Sequence, residues 1–329
     1  MADAPIEVAG VLAAEYGDVL EPANYIRGVA ISGRLRLHRL APDGTDPAAA
    51  IAETVARSVT PEALAALQGV DGSVHAGYVW ANELSDATND DRYSRFLAQI
   101  ADYYLDLRSD GLPQPVDADA RVEDIFCAGS VLGRAFESTA DERYVEVLAN
   151  FLAASHAQPD SGLWWHCGAS PYYWGRGNAF AALGFSEGLS YLPDAHPQRA
   201  ALEATHRAHI EVLITHQDNS GAWRQVIDRP DSYLELTATA MIGIALSRGI
   251  TRGWLPASMS DAAAAAWAAV AERVDEAGMV RDACMGTGPM PALDDYLNRT
   301  AVSGHDDRAG SMALWFAVEY ASLIGDAAL

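Results

Sequence analysis

Lysine is missing altogether. The 22 basic side chains of this 329-residue chain are all arginine, they face 45 acidic ones, and the formal charge is −23 at pH 7. So acidic a surface repels nucleic acid and anionic membranes, which excludes both as partners. Cysteine is nearly as scarce: Cys127, Cys167 and Cys284 are odd in number, far apart and outside any CxxC pair. That argues against a disulfide framework and a structural zinc site. No apolar run approaches the roughly 20 residues needed to span a bilayer. Between Met1 and Gly10 there is no positive charge and no apolar signal core, so a cytoplasmic protein is expected. The acidity has one chemical consequence. An anionic substrate needs a locally basic pocket, and arginine and histidine alone must build it; guanidinium suits the task because it grips carboxylates through two parallel hydrogen bonds.

What the chain does have is helical periodicity. Half of its residues are hydrophobic, enough for a substantial core. Tyr93, Phe96, Leu97, Ile100 and Tyr104 fall on one helix face, as do Tyr144, Val147, Leu148, Phe151 and Leu152. Ala262–Ala269 has high helix propensity. Strand-like alternation is confined to Gly33–Leu40, a short candidate strand. The fold class is all-α.

A repeat organises these helices. Ala87–Tyr93 (ATNDDRY) matches Ser138–Tyr144 (STADERY) at an offset of 51 residues, and each copy leads into an apolar helix. In each, a polar residue can cap the helix and acidic side chains sit near its positive end. A two-helix unit of this period indicates stacked hairpins, and six fit the length. The expected architecture is an (α/α)6 barrel over residues 1–329 as one catalytic domain, with an open solenoid as the alternative. Ser109–Asp119 is a long loop within it.

In such a toroid the loops that enter the inner helices line the cavity. Three are rich in aromatic and polar groups: Gly162–His166 continuing to Tyr172–Asn178; Gly221–Val226 leading to Ser232–Glu235; and Asn298–Thr300 through His305–Asp307. Sugars present apolar faces that stack on aromatics and hydroxyls that need planar polar partners. These loops offer both. His305, Asp306 and Asp307 superficially suggest metal ligands, but neighbours on a turn rarely converge on one ion; they are read as anchoring a loop or lining the cavity, and no metal is expected.

The run WGRGN at Trp174–Asn178, the Gly162–His166 stretch, GAWRQVIDRPDSYLELTATAM at Gly221–Met241 and HDDRAGSMALWFAVE at His305–Glu319 resemble the unsaturated glycuronyl hydrolases. These are glycoside hydrolase families 88 and 105, and the rhamnogalacturonyl branch, family 105, is the nearer likeness. It extends from about Asp71 onward. The resemblance implies an (α/α)6 barrel that removes a terminal 4,5-unsaturated uronic acid from lyase-generated oligosaccharides, without metal or organic cofactor. An acid protonates C4, water adds at C5, and the hemiketal opens to release the neighbouring sugar. The acid must remain protonated near neutrality, which burial or a neighbouring negative charge achieves.

The family acid lies in a motif of the form Asp-x-Leu-Phe/Tyr-Met-x-x-Pro. Here the segment reads Glu123-Asp124-Ile125-Phe126-Cys127-Ala128-Gly129-Ser130, with Glu123 on the catalytic position and Asp124 on the variable one. Either Glu123 acts with one extra methylene or Asp124 acts in a shifted register. Asp71 matches a second cavity acid, with His75 close by. Arg176 is expected to receive the substrate carboxylate. His166 is either a second polar contact or a buried structural histidine. Trp165, Tyr173 and Trp174 are candidates for a stacking platform; Asn178, Trp223 and Arg224 are further candidate contacts, and Glu235 is read as a contact or a loop anchor. The alternatives are an inverting glycosidase on saturated sugars, for which Glu123 or Asp124 would pair with Asp71 or Glu235, and a non-catalytic sugar-binding relative. The expected partner is the anionic unsaturated oligosaccharide, and the protein is expected to be a monomer or homodimer.

Overall fold

The computed structural model describes residues 4–42 and 44–325. Twelve helices carry the architecture, alternating between an outer and an inner layer. The outer set is α1 (Pro5–Glu15), α3 (Ala48–Val55), α5 (Arg92–Ala101), α7 (Glu142–Ala154), α9 (Arg199–Thr215) and α11 (Ser260–Ala271). The inner set is α2 (Tyr25–Leu40), α4 (Ala81–Thr88), α6 (Glu123–Thr139), α8 (Gly175–Tyr191), α10 (Leu236–Arg252) and α12 (Asp307–Ile324). Around the inner ring α6 packs on α8, α8 on α10, α10 on α12, and α12 returns to α2. This closure makes the fold an (α/α)6 barrel and excludes the open solenoid.

Sequence decides which layer each helix occupies. α5 is amphipathic and buries Tyr93, Phe96, Leu97 and Ile100 on one stripe. α8 is buried from Gly175 to Leu189, as a helix enclosed on all sides must be. Its Gly184 lies so close to α6 that a Cβ there would come within 2.5 Å of the Ile125 and Phe126 backbone. The two repeat copies both turn the chain from an inner to an outer helix. Each has a left-handed residue, Asn89 or Ala140, and then an aspartate, Asp90 or Asp141, accepting a backbone N–H from Arg92 (3.1 Å) or Arg143 (3.0 Å).

The candidate strand Gly33–Leu40 is instead the second half of α2. Arg34 donates to the Gly17 carbonyl and Arg36 reaches Glu83 inside the barrel, while Arg39 is exposed. The alternation of Arg34, Leu35, Arg36 and Leu37 therefore came from arginines with partners in the fold. The strands present are short antiparallel pairs, Trp223–Arg224 with Leu234–Glu235 and Val280–Cys284 with Ala301–Gly304.

At the end of the barrel away from the inner-helix N-termini, each inner helix contributes one charge and the signs alternate. Arg36, Glu83, Arg134, Glu187, Arg248 and Glu319 form a closed circuit. Arg36 pairs with Glu83 (2.8 Å) and Glu319 (3.1 Å), Arg134 with Glu187 and more distantly Glu83 (4.0 Å), and Arg248 with Glu187 and Glu319 (2.5 Å). Trp315 lies beneath the Arg36, Arg134 and Arg248 guanidiniums. Burial by itself would raise the Glu187 carboxyl, but Arg134 and Arg248 hold it far below the usual range. No helix among the described residues is long and apolar enough to cross a membrane.

Candidate active site

The inner rods all begin at the opposite mouth. Asn24 caps α2, Glu235 caps α10 and Asp306 caps α12. Asp71 caps the short helix Gly72–His75 that leads into α4, and Glu123 and Gly175 open α6 and α8. Convergent helix N-termini favour anions, because their dipoles point at the same space. Between them lies a cavity of 220 Å³ lined by Tyr25, Asp71, Asp117, Arg121, Glu123, Asp124, Cys127, Trp174, Arg176, Thr287 and Arg308. A larger recess of 390 Å³ at the far end is walled by members of the paired charge circuit. The smaller cavity holds Asp71, Glu123 and Asp124, which form no ion pair with an arginine among the described residues, so the chemistry is sought there.

Two adjacent carboxyls open α6, and their surroundings differ. Asp124 is buried, and its Oδ2 accepts the Asp117 backbone N–H at 3.0 Å. Burial, reinforced by the charges of Glu123 and Asp117, outweighs that hydrogen bond and pushes the Asp124 carboxyl well above the usual carboxylate range. Glu123 instead lies 3.0 Å from His166 Nε2 through Oε1, while its Oε2 is buried with no protein partner among the described residues. His166 Nδ1 is 2.5 Å from the Tyr296 hydroxyl, which itself accepts the Met290 N–H at 3.3 Å. The imidazole thus bridges the Tyr296 hydroxyl and the Glu123 carboxyl through its two ring nitrogens. The fully buried ring of His166 packs 4.5 Å from that of Trp174. The histidine thus aims Glu123 and does not itself line the cavity.

Arg176 lies in the cavity wall, buried against Trp174 at 4.5 Å. Its fork donates to the Cys284 carbonyl (2.6 Å) and the Met285 carbonyl (3.0 Å). Glu235 braces the same turn by accepting the Cys284 N–H (2.7 Å) while capping α10 through the Thr237 and Ala238 N–H groups. The loop-anchor reading of Glu235 describes its geometry.

Several expected contacts are built into the scaffold. Asn178 is fully buried, accepting the Trp164 N–H (2.8 Å) and donating to the Trp164 and Trp174 carbonyls, so its amide staples the Gly162–Trp174 loop. Trp223 is core, its indole donating to Leu213. Arg224 ties the Ser232 carbonyl to Asp218. His75 is buried between Tyr104 and the Leu67 carbonyl, and burial lowers its pKa. Tyr173 meets Ser161 away from the cavity, and Trp165, half exposed, lines a separate recess of 290 Å³. No shared platform of Trp165, Tyr173 and Trp174 exists; Trp174 alone lines the cavity. Asp71 lines it too, while capping Ser73 (2.7 Å). His305 bonds Glu15 and Asp307, a loop anchor, and among the described residues no cluster of three ligands for a metal ion occurs.

Residues 166–324 match the model of Glycosyl Hydrolase Family 88. The match takes in just under half of the chain, which is similar to that family there. The chain is 33% identical over 129 residues, 39% of its own length and 35% of the relative's, to the unsaturated rhamnogalacturonyl hydrolase YesR of Bacillus subtilis (strain 168). It is 28% identical over 113 residues, 33% of its length and 27% of the relative's, to an unsaturated 3S-rhamnoglycuronyl hydrolase of Alteromonas sp. (strain LOR). The matched stretch spans about a third of these curated relatives. In structure it is similar to a possible member of the GH105 family from Klebsiella pneumoniae subsp. pneumoniae MGH 78578, with TM-score 0.80, 18% identity, and coverage of 97% of this chain and 92% of that one. The family match contains His166, Arg176 and Arg308, whereas Asp71, Glu123 and Asp124 precede it.

Three cavity-side residues were not singled out from the sequence. Arg308 lies inside the quoted HDDRAGSMALWFAVE motif without a role. Tyr296 and Tyr25 carried no signal, since each meets the site only through the closure of the barrel.

Proposed function

We propose that this protein is a single-domain unsaturated uronyl hydrolase over residues 1–329, removing a terminal 4,5-unsaturated uronic acid from short oligosaccharides. The observation that carries the reading is the pair Asp124 and Glu123. One carboxyl is buried and its pKa raised by that burial, and its neighbour is aimed by a histidine, within a mouth that favours anions. Two titratable groups whose surroundings drive them to different tasks are the pattern expected of an acid–base pair.

In this reading Asp124 gives its proton to C4 of the C4=C5 bond, and the ring oxygen shares the positive charge that develops at C5. Glu123 takes a proton from water as its oxygen adds to C5. The hemiketal then opens: its C5 hydroxyl returns a proton to Asp124 as the C5–O5 bond breaks to leave a C5 ketone, the freed O5 forms the C1 aldehyde, and the aglycone oxygen leaves C1 with the proton held by Glu123. Asp71 faces the same space and orders water or a ring hydroxyl. The relatives' names support the substrate class. The expected setting is the cytoplasm, with a monomer or homodimer acting on imported oligosaccharides.

The test is a panel of unsaturated oligosaccharides made by pectic, ulvan-type and glycosaminoglycan-type lyases. Addition of the protein should abolish the ultraviolet absorbance of at least one product class. Persistence of the absorbance across the whole panel would overturn the reading.

A further inference from the structure

We propose that Arg308, not Arg176, receives the carboxylate of the uronate, and that Arg176 is a positioning residue for the 284–285 turn. This inference rests on the uronyl-hydrolase reading and assigns the recognition half of that site.

Three guanidiniums line the cavity, and their engagements differ. Arg176 donates through both terminal nitrogens to the Cys284 and Met285 carbonyls and stacks on Trp174. Its Nε is buried with no partner among the described residues, and the two N–H groups that point at the turn are committed to a segment that Glu235 also holds. Arg121 is in part solvated, 39% exposed, and pairs with Asp117 at 3.3 Å. Arg308 has a 17% exposed side chain and makes one long hydrogen bond, from Nη1 to Asp306 at 3.4 Å. Its Nε and Nη2 donate to no group among the described residues. A guanidinium with two adjacent N–H groups free toward a cavity fits a carboxylate in the bidentate manner.

Its position adds to this. Arg308 stands in the first turn of α12, so the helix dipole acts on an anion beside it in the same direction as its own charge. Arg308 lines the same cavity as Glu123 and Asp124, with the Tyr25 phenol in the wall beside them. Gly286 borders the same space, and a Cβ there would meet only the Arg308 Nη2, at 3.5 Å. A carboxylate held by Arg308 therefore shares a cavity with the carboxyls that act on C5, the carbon that bears it in an unsaturated uronate, and on the neighbouring C4.

The experiment compares an unsaturated uronide with its methyl ester on wild type, Arg308→Gln, Arg308→Lys and Arg176→Gln. Wild type should prefer the acid. Arg308→Gln should lower kcat/KM for the acid by about 30-fold or more, mainly through KM, with a much smaller change for the ester, so that the preference collapses. Arg308→Lys should restore part of it, which shows that the variant site is still built. Arg176→Gln should keep the acid-to-ester ratio while lowering Tm and exposing the 284–292 segment to protease. A wild-type acid-to-ester ratio in Arg308→Gln would overturn the inference, and so would loss of that ratio in Arg176→Gln at unchanged Tm. Calorimetric binding of acid and ester separates the two claims. Acid-selective binding that needs Arg308, without turnover by wild type, defeats the reaction and keeps the anchor; turnover without that dependence does the reverse.

Discussion

Adjacent side chains on α6 are asked to do opposite things, and substitution should divide them. Asp124→Asn removes the proton donor and leaves the Asp117 N–H a carbonyl oxygen to bond, so turnover should fall by about 10²–10⁴-fold with the fold intact. Glu123→Gln should lower kcat over a similar range. Steady-state kinetics on an accepted lyase product checks both; full activity in both variants would remove the acid–base assignment. The pH dependence follows from the raised pKa of Asp124. Its active form is protonated, so activity should be present below the raised pKa and lost as pH rises through it. Glu123, Asp117, Arg121, Tyr104 and Cys127 all act on or border this carboxyl, and burial dominates them. The same sign governs stability. An acid whose folded pKa is raised contributes stability below its unfolded value and loses it as pH rises through the folded one, so Asp124→Asn should hold or increase Tm at alkaline pH. The pair itself was legible, because an acidic dipeptide ahead of Ile125 and Phe126 sits on a motif position. Its division of labour was not. That depends on Asp117, and on Tyr296 acting through His166, and residues so distant in sequence meet only in the closed barrel.

At the scale of helices, the site is as exact as the approach of α6 to α8. Gly184 allows backbone contact at the level of Ile125 and Phe126, one residue beyond the acid pair. Gly184→Ala should force the helices apart, costing about 1–3 kcal/mol of stability and lowering kcat more than it changes KM. Urea denaturation with parallel kinetics reads both; wild-type values for each would show that the approach does not position the acids. Helix periodicity and the 51-residue repeat made these elements readable in the sequence, since the two outward turns at Asn89 and Ala140 use the same left-handed residue and following aspartate. The reading failed at Gly33–Leu40, where arginines with partners in the fold imitate the polar face of a strand. It also overvalued Asn178, Trp223 and Arg224. Composition cannot tell an amide that binds sugar from one that staples a loop.

For the whole molecule, the barrel has two ends of opposite design: an open mouth with underpaired charge, and a far end where six alternating charges close on one another. Replacing Glu187 by Leu leaves Arg134 and Arg248 without their shared partner. Removing one member of a buried ion network costs about 3–5 kcal/mol, so the denaturant midpoint should fall sharply, and a stability equal to wild type would show that the circuit is dispensable. None of this circuit was read from the sequence, since its members come one from each hairpin. The central claim concerns the other end, and the reaction run in D2O tests it most directly. Nuclear magnetic resonance of the released uronic acid at early times should show one solvent deuterium at C4 and no C4=C5 double bond. A released sugar acid that keeps its double bond and carries no deuterium at C4 would contradict the account.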